Sequence, residues 1–235
     1  MIKNKTFVTE HYQDQINALE GFIKDAYPSL PNHDNSQIRF GGGTALAIYY
    51  FEHRLSFDID LFVTDVQLMN YLSPKHWLEE TNAFNSGAYI DLANHIRVLY
   101  RENNIKVDVL VAQDFTGSCL VDDSNELFSA TVYVESIEDI IAKKIVYRRN
   151  DNLTRDIIDI AISIEYADNV LKRLFELEVI TLDDVSELYQ SLLNLDTELF
   201  KEELQIVKPF DKYMSTSINA PSIIIKVCKA ILKPE

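Results

Sequence analysis

Two aspartates that lie two residues apart, Asp58 and Asp60, have the type and spacing that metal chemistry requires. They lie in residues 57–63, where alternating apolar and polar residues predict a strand. Successive side chains of a strand point to opposite faces, so both carboxylates share one face. Because adjacent like charges repel each other, we expect a divalent cation to neutralise them. Oxygen ligands that form an incomplete cage suit Mg²⁺, which completes its octahedron with water and substrate phosphates.

A glycine-rich turn precedes the two aspartates. Gly41, Gly42 and Gly43 follow an apolar strand end, and a short apolar helix begins near Thr44. Glycines let backbone N–H groups approach a phosphate closely, and a helix N-terminus adds partial positive charge. Each signal alone has an ordinary explanation, a plain turn for the glycines and a solvated strand face for the aspartates. Their succession within residues 39–63 favours a phosphate site beside a metal site.

The same segment resembles the signature of a known enzyme family. It is similar to the motif of the AbiE-type (AbiEii/AbiGii) toxin nucleotidyltransferases, a branch of the DNA polymerase β-like nucleotidyltransferase superfamily. The residues that carry the resemblance are Gly42, Gly43, Thr44, Ala45, Leu46, Ala47, His53, Arg54, Ser56, Asp58, Asp60, Leu61 and Phe62. The resemblance implies that residues 42–44 bind the phosphates of an NTP and that Ser56 supports the site. For His53 and Arg54, a structural role between helix and strand is as consistent as a substrate contact.

A third carboxylate, Asp108, lies in a later predicted strand, residues 105–111, which follows a predicted hairpin turn at residues 101–104. Alone, Asp108 would equally be a strand-edge charge paired with Lys106 or Arg101. The resemblance implies instead that it is the third metal ligand of the superfamily. Three carboxylates can hold two Mg²⁺ ions roughly 4 Å apart, a spacing that supports in-line phosphoryl transfer. The predicted reaction is nucleotidyl transfer, in which an acceptor oxygen attacks the α-phosphate of an NTP.

The resemblance continues in the second half of the chain. Residues 138–145 and 155–159 are similar to the family's Ala-x-Lys helix and its Arg-Asp-x-x-Asp helix. The resemblance implies that Lys144 and Arg149 contact the triphosphate, and a compact ammonium suits a phosphate. By the same alignment, Asp156 and Asp159 fix basic residues or orient the site. Helix charges in i,i+3 or i,i+4 pairs are a common alternative for both aspartates.

Composition sets wider bounds. The chain has 235 residues, 47% of them hydrophobic, which is enough for a substantial core and argues against general disorder. Two cysteines without metal spacing, no signal-peptide pattern and no long apolar run favour a reduced, cytoplasmic protein without a membrane span. The net charge of −15 argues against non-specific nucleic-acid binding as the main task. Basic residues are nevertheless dense in residues 143–173, which predicts a local positive patch.

The predicted fold is α/β (α+β), a polymerase β-like domain with a mixed sheet followed by an α-helical domain. The hydrophobic patterns divide the chain at residue 136, where Ser136 and Asp139 predict a helix cap, into a catalytic domain (1–135) and a helical domain (136–235) that completes the active site. Further expectations are a helix over residues 9–27 capped by Thr9, an irregular stretch over residues 114–129, and helices capped by Thr181 and Thr197.

The resemblance implies a toxin of a toxin–antitoxin or phage-defence system. Such an enzyme would need Mg²⁺ and an NTP, would use the 3′ end of tRNA as its acceptor, and would have a cognate antitoxin protein. Two alternatives stay open from the residues alone. One is a nucleotidyltransferase of the same fold that modifies a small molecule or a protein. The other is a catalytically silent binding module.

Overall fold

The computed structural model describes residue 2 and residues 4–233 of the chain. These residues form two compact units. Unit 1 comprises the described residues up to Tyr50 together with Ser56–Glu135, and unit 2 comprises Phe51–Leu55 together with the described residues from Ser136 onward. The short segment Phe51–Leu55 therefore interrupts unit 1 in sequence and belongs to unit 2.

Unit 1 contains a mixed seven-stranded sheet. Its strands are β1 (Ile38–Gly41), β2 (Ile59–Val63), β3 (Phe84–Leu92), β4 (His95–Tyr100), β5 (Lys106–Val111), β6 (Cys119–Asp122) and β7 (Val132–Glu135). They pair in the order β3-β4-β5-β2-β1-β7-β6. β1 and β7 are parallel, as are β2 and β5, and the other neighbouring strands are antiparallel. The mixed sheet that the sequence predicts is confirmed.

Four α-helices accompany the sheet in the described part of unit 1. They are α1 (Lys5–Ala26), α2 (Gly42–Ala45), α3 (Gln67–Leu72) and α4 (Pro74–Trp77). The wider helical turn Leu46–Phe51 continues directly from α2. α1 packs against β2 and β5, the two central strands that carry the predicted aspartates.

The core of unit 1 explains why β2 and β5 form where they do. Ile59, Leu61, Val107 and Val109 are buried and share one face of the strand pair. Aliphatic and β-branched residues at every second position fit a pleated, half-buried surface. Each such side chain contributes about 1.5–3 kcal/mol when it is fully buried. The intervening positions of the same strands are thereby fixed on the opposite face.

Unit 2 is helical. Its helices are α5 (Ile137–Arg148), α6 (Thr154–Tyr166), α7 (Val170–Glu176), α8 (Leu182–Leu193), α9 (Thr197–Val207), α10 (Asp211–Ile218) and α11 (Ala220–Leu232). α6 lies at its centre and packs against α5, α7, α9, α10 and α11. Across residue 2 and residues 4–233, no helix combines the length and the apolar character needed to cross a bilayer.

Several predicted caps and boundaries can be compared with the structure. Ser136 caps α5 through the N–H of Asp139, and Thr181 caps α8 in a full capping box, so both predictions are confirmed. The predicted start of the first helix is wrong, because α1 begins four residues before Thr9 and is capped by Asn4. The hydroxyl of Thr9 donates instead to carbonyls of the preceding turn.

Two further expectations are wrong. α9 is capped by Asp196, whose carboxylate accepts from two backbone N–H groups, and Thr197 is already the first helical residue. Residues 114–129 are not wholly irregular, because β6 pairs antiparallel with β7. β6 is a four-residue strand at the edge of the sheet, and its partner lies later in the chain, so its local pattern carries little signal.

Candidate active site

The turn after β1 brings backbone directly against a carboxylate. Gly42 has a φ of +69°, and a Cβ atom at this position would overlap Oδ2 of Asp60. A Cβ atom at Gly41 would likewise overlap the carboxylate of Glu135. Gly42 must therefore be glycine both because its backbone is left-handed and because it approaches Asp60 closely. The register agrees, since Gly41 lies opposite Asp60 in the antiparallel pair of β1 and β2.

Thr44 fixes the entry to β2. Its hydroxyl is buried, donates to the backbone carbonyl of Asp58 and lies 2.8 Å from Oγ of Ser56. Gln15 on α1 donates to the carbonyl of Ser56 at 2.8 Å. The sequence motif predicts that Thr44 and Ser56 serve the phosphate site, and in the structure both hold the backbone that carries Asp58.

Strand register places the three predicted metal ligands on adjoining positions. Asp60 on β2 lies beside Asp108 on β5 in the parallel pair. Asp58 comes just before β2, which begins at Ile59 rather than at residue 57. Its half-buried carboxylate lies 3.9 Å from Nζ of Lys106. Asp58, Asp60 and Asp108 thus belong to the strand pair at the middle of the sheet.

Asp108 has partners that the sequence prediction missed. Arg97 on β4 binds it through two parallel hydrogen bonds, with Nε 2.7 Å from Oδ1 and Nη2 3.0 Å from Oδ2. Nε2 of His95 lies 2.6 Å from Oδ1. The expected partners, Lys106 and Arg101, are wrong, since Arg101 bonds to the carbonyl of Phe84. Counting outward from the hairpin turn would have found Arg97, because it is the residue opposite Asp108.

The Arg97 guanidinium is near all three aspartates. Its pKa is raised mainly by the hydrogen bonds to Asp108, against the opposing effect of burial, and further by the charges of Asp58 and Asp60. A guanidinium matches a carboxylate in a two-point geometry that lysine cannot reproduce. The site therefore contains its own positive charge.

The donor set of this site fits a hard divalent cation, because it consists of carboxylate oxygens with a glycine turn against one of them. Both oxygens of Asp108 are bonded to Arg97 in this arrangement. Over the described part of the chain, no group of three or more His, Cys, Asp or Glu side chains is arranged to hold a metal ion. Asp58, Asp60 and Asp108 are the side chains that would supply oxygen ligands to such a cation.

A second polar cluster lies inside unit 2. Asp159 on α6 is fully buried and accepts hydrogen bonds from Nε (2.8 Å) and Nη2 (2.8 Å) of Arg54, and its Oδ1 lies 2.7 Å from Nε2 of His53. The Lys144 ammonium on α5 lies 3.0 Å from Asp159 and also bonds to Asp156. This network connects Phe51–Leu55 to the helices of unit 2. The backbone N–H of Phe210 also donates to the carbonyl of His53.

Burial and charge oppose each other in this cluster. Burial by itself raises the pKa of Asp159, but the charges of Arg54 and Lys144 and the bonds from Arg54 and His53 hold it well below its ordinary value. Burial lowers the pKa of His53, and it outweighs the opposing effect of Asp159. We therefore treat His53 as neutral, donating from Nε2 to an ionised Asp159.

The structure thus distributes the predicted site residues over the two units. Residues 42–44, Ser56 and the three aspartates lie in unit 1, whereas the remaining predicted residues are His53, Arg54, Lys144, Arg149, Asp156 and Asp159 of unit 2. Lys144 is only 3% exposed and is bonded to two carboxylates. Arg149 binds Glu187 at 2.8 Å and Asp184 at 3.3 Å. Asp156 and Asp159 do bind basic residues, and their effect on catalysis stays a prediction.

Comparison with known proteins agrees with the motifs. Residues 31–216 match the family model described as nucleotidyl transferase AbiEii toxin, type IV toxin–antitoxin system. No curated protein sequence matches the chain. MenT4, a nucleotidyltransferase toxin of Mycobacterium tuberculosis, has a similar structure, with a TM-score of 0.53 and 14% identity over 98% of this chain and 99% of that chain. JHP933 of Helicobacter pylori has a TM-score of 0.48 and 14% identity over 97% of this chain and 95% of that chain.

Proposed function

The chain belongs to the AbiEii family of nucleotidyltransferase toxins, and from this premise we propose that it transfers a nucleoside monophosphate from a magnesium-bound NTP to the 3′ end of tRNA. The observation that carries the proposal is the position of Asp60. It lies against the glycine turn on one side and beside Asp108 on the other. A triphosphate at the turn would therefore meet the carboxylates that can hold its counter-ions.

The predicted site residues of unit 1 have distinct parts in this reaction. Asp58 and Asp60 would hold the cation, and Gly42 lets the backbone come close to Asp60. Thr44 keeps the backbone of Asp58 in place through its buried hydroxyl. When bound, magnesium supplies charge neutralisation for the triphosphate and lowers the pKa of the acceptor hydroxyl. Catalysis of phosphoryl transfer consists largely of such positioning and charge stabilisation.

The biological setting follows from the family. A type IV toxin–antitoxin system implies a cognate antitoxin protein, and a nucleotidyltransferase implies a nucleotide substrate. We extend this to an enzyme that acts in the cytoplasm, in phage defence or another toxin–antitoxin role. Two Mg²⁺ ions would be bound during turnover, as three carboxylates allow.

One observation favours a different acceptor. The basic residues that predict a positive patch are largely bonded to carboxylates, as in the pairs of Arg148 with Asp156, Arg149 with Glu187 and Arg173 with Glu138. Such pairing, together with the net charge of −15, weakens the attraction of an RNA phosphate backbone. A small-molecule or protein acceptor is therefore the second candidate.

The test is a labelling experiment with the purified protein. Each α-labelled NTP is supplied with Mg²⁺ and either total tRNA or total protein, for the wild type, Asp60→Asn and the control Asp123→Asn, an exposed aspartate beyond β6. We expect label on tRNA that falls about 100-fold or more in Asp60→Asn, since loss of a metal ligand removes several kcal/mol of charge stabilisation. The control should retain the activity.

The other outcomes separate the alternatives. Label on protein, or on a small hydroxylated amine supplied in a third reaction, would keep the chemistry and contradict the tRNA acceptor. No label in any reaction, together with no binding of Mg-NTP by calorimetry, would contradict the proposed reaction and leave a binding role for the fold.

A further inference from the structure

Arg97 binds both carboxylate oxygens of Asp108, the predicted third metal ligand in unit 1. We propose that Arg97 is a built-in counter-ion that holds Asp108 until a divalent cation replaces it. The inference rests on the proposed role of Asp58, Asp60 and Asp108 in binding that cation. It assigns a positioning role to a residue outside the motifs that carry the family resemblance.

Electrostatic repulsion acts among the three aspartates of unit 1. Register brings Asp60 beside Asp108, and Asp58 lies two residues from Asp60. Carboxylates in such proximity repel each other, and a nearby positive charge offsets the repulsion. Arg97 supplies that compensation as the residue opposite Asp108 in the antiparallel pair of β4 and β5.

Arg97 and a divalent cation would use the same carboxylate oxygens of Asp108. Both are engaged by the guanidinium, Oδ1 at 2.7 Å and Oδ2 at 3.0 Å. A divalent cation binds through the same oxygens, and its positive charge repels the guanidinium. Asp108 therefore cannot bind a divalent cation and keep both of its hydrogen bonds with Arg97 unweakened. Binding of the cation is coupled to release of at least one bond from Arg97.

Arg97 and Asp108 differ in their exposure to solvent. The Arg97 side chain is 35% exposed, whereas that of Asp108 is 8% exposed. A released guanidinium would enter water without leaving a buried charge behind. In unit 2, by contrast, Arg54 is 5% exposed and its partner Asp159 is 0% exposed, so that pair has no such exit. The exposure of Arg97 makes its bond with Asp108 an exchangeable one.

Manganese binding tests the inference without relying on turnover. The dissociation constant for Mn²⁺ is measured by electron paramagnetic resonance for the wild type, Arg97→Gln, Arg97→Lys, Asp60→Asn and Arg97→Gln combined with Asp60→Asn. Arg101→Gln is the matched control, because Arg101 follows the same strand and bonds to a backbone carbonyl. Melting temperatures are recorded for each variant in EDTA and in Mn²⁺.

The inference predicts that Arg97→Gln binds Mn²⁺ about fivefold more tightly or better, because a competing positive charge is gone. The same variant should melt at a lower temperature in EDTA and gain more from Mn²⁺ than the wild type does. Arg97→Lys keeps the charge without the two-point geometry, so its affinity should lie between the two. Arg101→Gln should match the wild type.

Four results would overturn the inference. In the first, the wild type binds Mn²⁺ and Asp60→Asn does not, but Arg97→Gln binds Mn²⁺ no more tightly than the wild type does. The metal site would then be supported, and competition between Arg97 and the cation would be contradicted. If Mn²⁺ binding to Arg97→Gln is unaffected by adding Asp60→Asn, the ion lies elsewhere. If neither the wild type nor Arg97→Gln binds Mn²⁺, both the metal site and the inference fail. Should Arg97→Gln not fold, equal affinities of Arg97→Lys and the wild type contradict the inference.

Discussion

At the scale of single residues, Gly42 is under a tight steric constraint. Its φ is positive, and the space where a Cβ atom would stand is filled by the carboxylate of Asp60. Gly117 also has a positive φ, but a Cβ atom there would meet nothing within 4 Å. The two glycines therefore separate the cost of backbone strain from the cost of the overlap.

We predict that Gly42→Ala abolishes nucleotidyl transfer and destabilises the protein more than Gly117→Ala does. The control should cost about 1 kcal/mol, the strain of a left-handed alanine. Gly42→Ala should lose more stability than this, because its Cβ atom would also displace the carboxylate of Asp60. Urea unfolding and Mn²⁺ binding measure the two effects. Equal stability and equal Mn²⁺ affinity of the two variants would show that the close approach to Asp60 has no importance.

Lys144 is the residue whose role the motif and the structure describe differently. The resemblance predicts a contact with the triphosphate, yet its ammonium is bonded to Asp156 and Asp159 inside unit 2. We predict that Lys144→Met lowers the free energy of unfolding by about 3 kcal/mol or more, because it leaves buried carboxylates with less compensation. Lys172→Met, which removes an exposed pair with Glu176, should change it by less than about 1 kcal/mol.

Denaturant titration of both variants is the measurement. A Lys144→Met protein that unfolds like the wild type and fails only to bind NTP would favour the phosphate contact instead.

At the scale of elements, the helix ends show what local sequence can specify. Thr181 begins a capping box, in which its hydroxyl accepts from the N–H of Asp184 and the carboxylate of Asp184 accepts from the N–H of Thr181. Both partners lie within three residues, so the pattern is visible in the sequence. At Thr197 an equally good capping residue, Asp196, stands one position earlier and takes the role.

We predict that Thr181→Ala costs about 1 kcal/mol of stability, the usual loss of a helix cap. Thr197→Ala should cost less than about 0.5 kcal/mol, because the cap of α9 is Asp196 and alanine is a good helix former. Chemical denaturation of the two variants measures the difference. A larger loss for Thr197→Ala would mean that the assignment of the cap to Asp196 is mistaken.

The sequence reveals the strands of the site better than it reveals their pairing. Alternation identifies β2 and β5, and the glycine turn before them is equally clear. The parallel contact of β2 with β5 joins residues about fifty positions apart, so nothing local specifies it. The same is true of the contact between Phe51–Leu55 and α6. Arg97 could have been found from the hairpin register, whereas Asp159 as the partner of His53 could not.

At the scale of the whole molecule, stability depends on the ionisation of the buried cluster in unit 2. His53 has a lowered pKa, so below about pH 6.5 the unfolded chain takes up a proton more readily than the folded chain does. Stability therefore falls as the pH decreases through this range. Asp159, whose pKa is held well below normal, contributes stability above about pH 4 that is lost only at lower pH.

We predict that the melting temperature of the wild type falls between pH 7 and pH 5, and that His53→Gln shows a smaller fall. Glutamine can donate a hydrogen bond to Asp159 but does not titrate. Differential scanning calorimetry in a series of buffers gives both profiles, and the difference between them isolates His53 from the other histidines. Parallel profiles would contradict the assignment of a buried, neutral His53.

The membership of Phe51–Leu55 in unit 2 has a consequence for the order of events during synthesis. A ribosome completes this segment long before it reaches Asp159 on α6, the acidic partner of His53 and Arg54. Until then the carboxylate that binds His53 and Arg54 in the folded protein is not yet synthesised. The nascent chain must therefore keep this segment available while more than a hundred further residues are added, and a fragment that begins at residue 136 lacks it altogether. The buried cluster of unit 2 therefore forms only in a chain that also contains residues 51–55.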